Sequence, residues 1–190
     1  FGNAVMYHIQ KFVRGVHIPN YAVMEVNTLW PKIDPADRGL FSLILARAAF
    51  FVRGYPISAF NAVGDFAKIK PDKSVVPQRQ KMLREQGLLK AMVNMLHYLA
   101  PVPEWISNEA SMSTSRATKG VFLDICKEVL SECLNMLYDL IKGNLQNQIY
   151  IADHLLTILA HVSTDKMAAN VARELLSSNR ELQETRIGHK

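Results

Sequence analysis

Pro77-Gln-Arg-Gln-Lys-Met-Leu-Arg-Glu-Gln-Gly-Leu-Leu-Lys-Ala-Met-Val-Asn-Met-Leu-His-Tyr-Leu-Ala100 reads as a single long helix, opened by Pro77 and closed by Pro101 and Pro103. At 100° per residue, Leu88, Met92, Met95 and Leu99 share one stripe, and Gln86, Lys90, Asn94 and His97 form the opposite, polar one. Lys81 and Arg84 fall on the apolar stripe, one turn apart, so the spacing predicts two cations that prolong a packed face. A cation so placed needs a partner, because an unpaired buried charge is costly. Three partners satisfy that need: an acidic residue of a neighbouring helix, a cluster of carbonyls, or a bound phosphate near the helix N-terminus.

Helical periodicity continues on both sides of this segment, and no convincing alternating strand interrupts it. Short helices are predicted over Asn3–Val13 and Tyr21–Trp30. A longer one, capped by Asp34 with Pro35 at its first position, runs to about Arg53 before Gly54 and Pro56. A shorter helix over Ile57–Phe66 and a basic loop over Lys68–Ser74 precede the central segment. The 104–118 stretch, with Ser107, Ser111, Ser113, Thr114 and Ser115, carries turn chemistry and predicts a mobile loop.

Beyond it, Phe122, Cys126, Val129, Cys133, Met136 and Leu140 step by four and three, marking the buried stripe of a long helix that ends at Gly143. The next helix, Asn147–Val162, turns Ile151, Leu155, Ile158 and Val162 inward. A further one, capped by Ser163 or Thr164, reaches Leu176, and Asn179–Ile187 adds a short polar helix. Short connections between helices of this length make neighbours antiparallel. The expected fold is therefore all-α, an armadillo-like α-solenoid forming one domain over residues 1–190, although no clean sequence repeat marks its units.

Composition narrows the function. With 190 residues and 49% hydrophobic content the chain can bury a sizeable core. Its 22 basic residues are interspersed among 17 acidic ones, so the net charge of +5 forms no nucleic-acid or membrane footprint. The apolar run Leu40–Val52, interrupted by Arg47, is shorter than the ~20 residues of a membrane span. The chain opens within an apolar pattern at Phe1 and reads as part of a longer protein.

Cys126 and Cys133, seven apart on one helix, are ~10.5 Å apart along its axis and do not pair; they read as core thiols. His154 and His161 are too widely spaced on one helix to chelate a metal and read as surface histidines. Glu25, Asp37, Asp65 and Asp124 make no acid pair, and no nucleophile elbow or phosphate loop is present. The reading is of a non-enzymatic domain without metal or cofactor.

Arg79-Gln-Lys-Met-Leu-Arg-Glu-Gln-Gly87 closely resembles a signature of the RIH domain, the armadillo-like helical module of inositol trisphosphate and ryanodine receptors, and is nearer to the first. Asn147-Gln-Ile-Tyr-Ile-Ala152 is similar to that family's Asn-Gln-x-Tyr-Ile-Ala run. Leu175–Leu182 and Ala49–Gly54 resemble further stretches, so the likeness spans about Asp37 to Ile187 in register.

The resemblance implies the helical half of a ligand-binding core, facing a preceding β-trefoil half. The whole would be a homotetrameric calcium-release channel of the endoplasmic reticulum, with this part on the cytosolic side. It implies that Lys81 and Arg84 contact the phosphates of inositol trisphosphate or another polyphosphate, with Arg79 and Gln146 as supporting groups. Three positions depart from the family pattern: Pro77 replaces a basic contact, and Asn144 and Gln146 replace a Tyr and a Lys. The opposing expectation is a scaffold that binds no ligand, its basic pair held by a carboxylate.

Overall fold

The computed structural model describes residues 6–11, 35–55, 74–99 and 116–177. Within them the chain is helical: α1 (6–11), α2 (Pro35–Val52), α3 (Pro77–Glu85), α4 (Leu88–Leu99), α5 (Arg116–Ile141), α6 (Leu145–Ile151), a 3₁₀ turn (Ala152–His154), α7 (Leu155–Ala160) and α8 (Lys166–Ser177). This is the expected all-α, armadillo-like architecture. The helices predicted over Tyr21–Trp30, Ile57–Phe66 and Asn179–Ile187, the Asp34 cap, and the loop at 104–115 lie outside the described residues.

Helix α5 organises the rest, with α2, α4 and α8 all packed against it. The expected stripe is buried at Val129, Cys133, Met136 and Leu140, while Cys126 is half-buried. A second stripe, Leu130, Leu134, Leu137 and Ile141, is buried as well. A helix enclosed on two sides needs two apolar stripes, whereas the single-face rule describes a helix at a surface. The facing core comes from Phe41, Ile44, Leu45 and Ala48 of α2, Leu88, Met92, Met95 and Leu96 of α4, and Val171 and Leu175 of α8.

Two predicted helices are interrupted. The segment from Pro77 to Ala100 divides at Gly87, whose φ of +87° is left-handed backbone that suits glycine, and Gln86 closes α3. The break resets the helical phase. Lys81 and Arg84 therefore do not prolong the buried stripe of α4; in α3 the buried positions are Gln80 and Leu83. The segment expected over Asn147–Val162 begins at Leu145 and tightens into the 3₁₀ turn at Ala152–His154. That adjustment turns His161 inward and leaves Val162 exposed, the reverse of the expectation.

Capping also differs from expectation in one place. Asp165, rather than Ser163 or Thr164, caps α8, with its Oδ1 accepting the Met167 amide at 2.7 Å. At the other end of α2 the agreement is close: the helix starts at Pro35 and ends at Val52, and Gly54 follows with φ +81°. Helix α5 starts at Arg116, inside the stretch expected to be a loop.

Candidate functional site

Helix α3 is short, yet each side of it performs a different task. Arg79 reaches back to the C-terminal end of α2: its Nη1 donates to the carbonyls of Phe51 at 2.8 Å and Tyr55 at 3.0 Å. Its guanidinium also lies 4.8 Å from the Phe51 ring centroid. The last carbonyls of a helix have no partner within the helix, and a cation there satisfies them and complements the dipole. Arg79, expected as a supporting ligand group, is thus placed as a clasp between α3 and α2.

Gln80 does for α5 what Arg79 does for α2. Fully buried, it donates through Nε2 to the carbonyls of Asp139 at 2.8 Å and Lys142 at 3.0 Å, and its Oε1 accepts from Asn144 Nδ2 at 3.0 Å. The neighbouring carbonyls are taken by the Asn-Gln pair of α6. Asn147 Nδ2 donates to Leu140 at 2.6 Å, and Gln148 Nε2 donates to Ile141 at 3.1 Å. Both amides are fully buried. Four successive carbonyls at the end of α5, Asp139 to Lys142, are therefore satisfied by side-chain amides brought from α3 and α6. This matters because a buried carbonyl without a partner costs ~1–3 kcal/mol.

Beside this cap lies an ion pair. Arg53 donates from Nε to Asp139 Oδ2 at 2.9 Å and from Nη2 to Asp139 Oδ1 at 2.8 Å, a bidentate fork that ties the end of α2 to α5. Burial pushes the Asp139 carboxyl above its usual range, and the Arg53 bonds and the Lys142 charge pull it part of the way back.

Arg84 reaches the outer part of the same junction, and Lys81 lies one turn earlier on α3. Arg84, half-buried, donates from Nη1 to Asn147 Oδ1 at 2.9 Å. Its partner is a neutral amide rather than the carboxylate that the sequence left open. Because Asn147 also donates to Leu140, the orientation of its amide is determined, and it holds the guanidinium through one nitrogen only. Lys81 is 64% exposed and lies 3.8 Å from the carboxylate of Glu85, itself 60% exposed. Such a pair contributes little in water.

Asn144, at a position where the family pattern has a Tyr, caps α6 by accepting the Asn147 amide at 3.1 Å. Gln146 is exposed on the first turn of α6, and Lys142 is exposed with its Nζ 5.6 Å from the Tyr138 ring centroid. The structure thus brings Arg84, Asn144 and Asn147 to one junction, while the contact of Lys81 is with Glu85 of its own helix. It places Arg79 on the side of α3 that meets α2.

The residues that sequence reasoning missed are the amides. Gln80, Asn147 and Gln148 carry the polar signature of a solvated helix face, and only the meeting of α3, α5 and α6 reveals them as buried caps. One sign was present: the two stretches that carry the family resemblance, Arg79–Gly87 and Asn147–Ala152, are the two that meet here.

Among the described residues no group of three or more His, Cys, Asp or Glu is placed to hold a metal, and no helix is long and apolar enough to cross a membrane. Both thiols are free, and burial pushes the Cys126 thiol up to about 12, which leaves it unreactive at neutral pH. No curated protein and no solved structure matches the chain. The model of the RIH domain matches residues 64–190, about two thirds of the chain. The motif that joins α3 to α5 and α6 lies inside the matched region, and the chain belongs to the RIH domain family of ryanodine and inositol trisphosphate receptors.

Proposed function

We propose that this domain is the helical half of a ligand-sensing core on the cytosolic side of an inositol trisphosphate-gated calcium-release channel of the endoplasmic reticulum. It would work as one helical unit over residues 1–190, beside a β-trefoil half, in a homotetrameric channel. A multiply phosphorylated ligand would bridge Lys81 and Arg84 to basic groups of the other half. Tighter binding to the closed clamp would then bias the gate. The observation that carries this reading is the partner of Arg84: a neutral amide positions the guanidinium and leaves its charge uncompensated among the described residues. Lys81, one turn earlier, is held only by an exposed pair and exchanges it readily for phosphate oxygens.

A second reading rests on the three departures from the family pattern. Pro77 presents no cation, Asn144 is engaged with Gln80 and the α6 amide, and Gln146 is a neutral exposed side chain. Each missing charge-assisted bond to phosphate removes ~1.5–3 kcal/mol. Under this reading the domain is a receptor-family scaffold in which Arg84 serves to brace Asn147.

Titration calorimetry of inositol trisphosphate into the full-length protein separates the two, with the Lys81→Ala/Arg84→Ala double variant run alongside. Saturable heat that disappears in the variant is the outcome expected for ligand sensing. A folded protein that gives no heat would sink that reading and leave the scaffold.

A further inference from the structure

Away from the basic junction, two histidines from different elements meet at the far end of α4. His97 Nε2 lies 3.2 Å from His154 Nδ1, with the rings nearly perpendicular at 81° and their centroids 5.3 Å apart. His97, in the last turn of α4, is exposed, and His154, at the end of the 3₁₀ turn, is half-buried. The 3₁₀ turn makes this meeting possible, since it shifts the phase of the chain between α6 and α7.

We propose that His97 and His154 form a two-imidazole site for a divalent transition-metal ion of the zinc class, clamping the end of α4 to the α6–α7 turn. Three observations converge on it. Two nitrogens bound to one tetrahedral zinc at about 2.0–2.1 Å stand roughly 3.3 Å apart, close to the separation present here. That separation is at the long end for a hydrogen bond, so the pair is set as well for a shared ion as for a shared proton.

The second observation concerns the tautomer. Thr157 Oγ1 lies 3.4 Å from His97 Nδ1, in position to accept a hydrogen bond from its N–H in the tautomer whose Nε2 lone pair is free for a metal. Metal-binding imidazoles are oriented in this way by the bond that the other ring nitrogen makes. Third, the exposed edge of the pair leaves the remaining coordination positions to water or to a donor from a partner, the arrangement of an open site.

Imidazole ligands select zinc, nickel or copper(II) over calcium or magnesium, which take oxygen donors. His161 does not join the site. Its Nε2 is bound to the Leu96 carbonyl at 3.0 Å, inside the core.

The test is thermal unfolding of the protein with zinc chloride alone, compared with His97→Gln and His154→Gln. Zinc at about 100 times its dissociation constant should raise the midpoint by ~5 °C or more in the parent protein and leave each single variant unmoved. Because His97 is exposed, its replacement preserves the fold, which superposable far-ultraviolet spectra would verify. Calorimetric titration of the parent with zinc should give one ion per chain. The proposal is overturned by a zinc-induced rise that survives in either variant, which would place the ion elsewhere, or by the absence of any rise in the parent.

Discussion

Gln80 and Lys81 are adjacent polar residues of one short helix, and the structure assigns them opposite energetic weights. Gln80 supplies two donors to the end of α5 and accepts from Asn144, all within the core. Gln80→Ala leaves the Asp139 carbonyl without its donor, and the expected loss is about 2–3 kcal/mol, read as a lower urea midpoint at unchanged slope. Lys81→Ala removes only an exposed pair and should stay within ~0.5 kcal/mol of the parent. If the lysine variant were the more destabilised of the two, this account of α3 would be wrong. Asn147 belongs with Gln80, since it is buried, caps Leu140 and braces Arg84. The sequence showed the cations because charge is conspicuous. It concealed the amides because a polar side chain on a helix ordinarily faces water, and nothing local to Asn147 or Gln80 announces the helix end that each one meets.

Helix α3 and helix α4 are separate elements because of Gly87. Its backbone has φ +87°, and a Cβ built there meets nothing within 4 Å, so crowding does not dictate glycine; the conformation does. Gly87→Ala should cost about 1–2 kcal/mol through that strain alone, measurable by chemical denaturation. Helix content should be retained, because the flanking turns are fixed by Leu83 and Leu88 in the core. A gain in stability would show instead that the two helices prefer to fuse. This break is also where the periodicity argument failed. A pattern continued through Gly87 keeps Lys81 and Arg84 in phase with Leu88 and Met92, whereas the turn rotates α3 so that Gln80 and Leu83 face inward. The element boundaries at Pro35, Val52 and Gly143 were legible because proline and positive-φ glycine have local causes. The double burial of α5 was not, since it depends on how many neighbours the helix acquires.

Packing α2, α4 and α8 around α5 buries several ionisable groups together, and the pH dependence of the folded domain reports their sum. His161 is 2% exposed and bonded through Nε2 to the Leu96 carbonyl in the last turn of α4. Burial lowers its pKa, more than the Leu96 bond and Asp165 raise it, and His154 is lowered as well. A histidine with a depressed folded-state pKa takes up its proton more readily in the unfolded chain. Its contribution is therefore full above the unfolded value of about 6.5 and is lost as pH falls below it. Glu132 and Asp139 act in the opposite sense, because burial raises both carboxyls and folding is favoured as they take up protons at acidic pH. The thermal midpoint should thus fall between pH 7 and 5.5, and the slope should flatten at more acidic pH, where the carboxyls take up protons. His161→Gln, which keeps a side-chain N–H for Leu96 but cannot titrate, should lose much of the slope between pH 7 and 5.5. A midpoint that is level from pH 7.5 to 5.5 in the parent, or a slope unchanged in the variant, would mean that these histidines are as accessible to protons in the folded domain as in the unfolded chain.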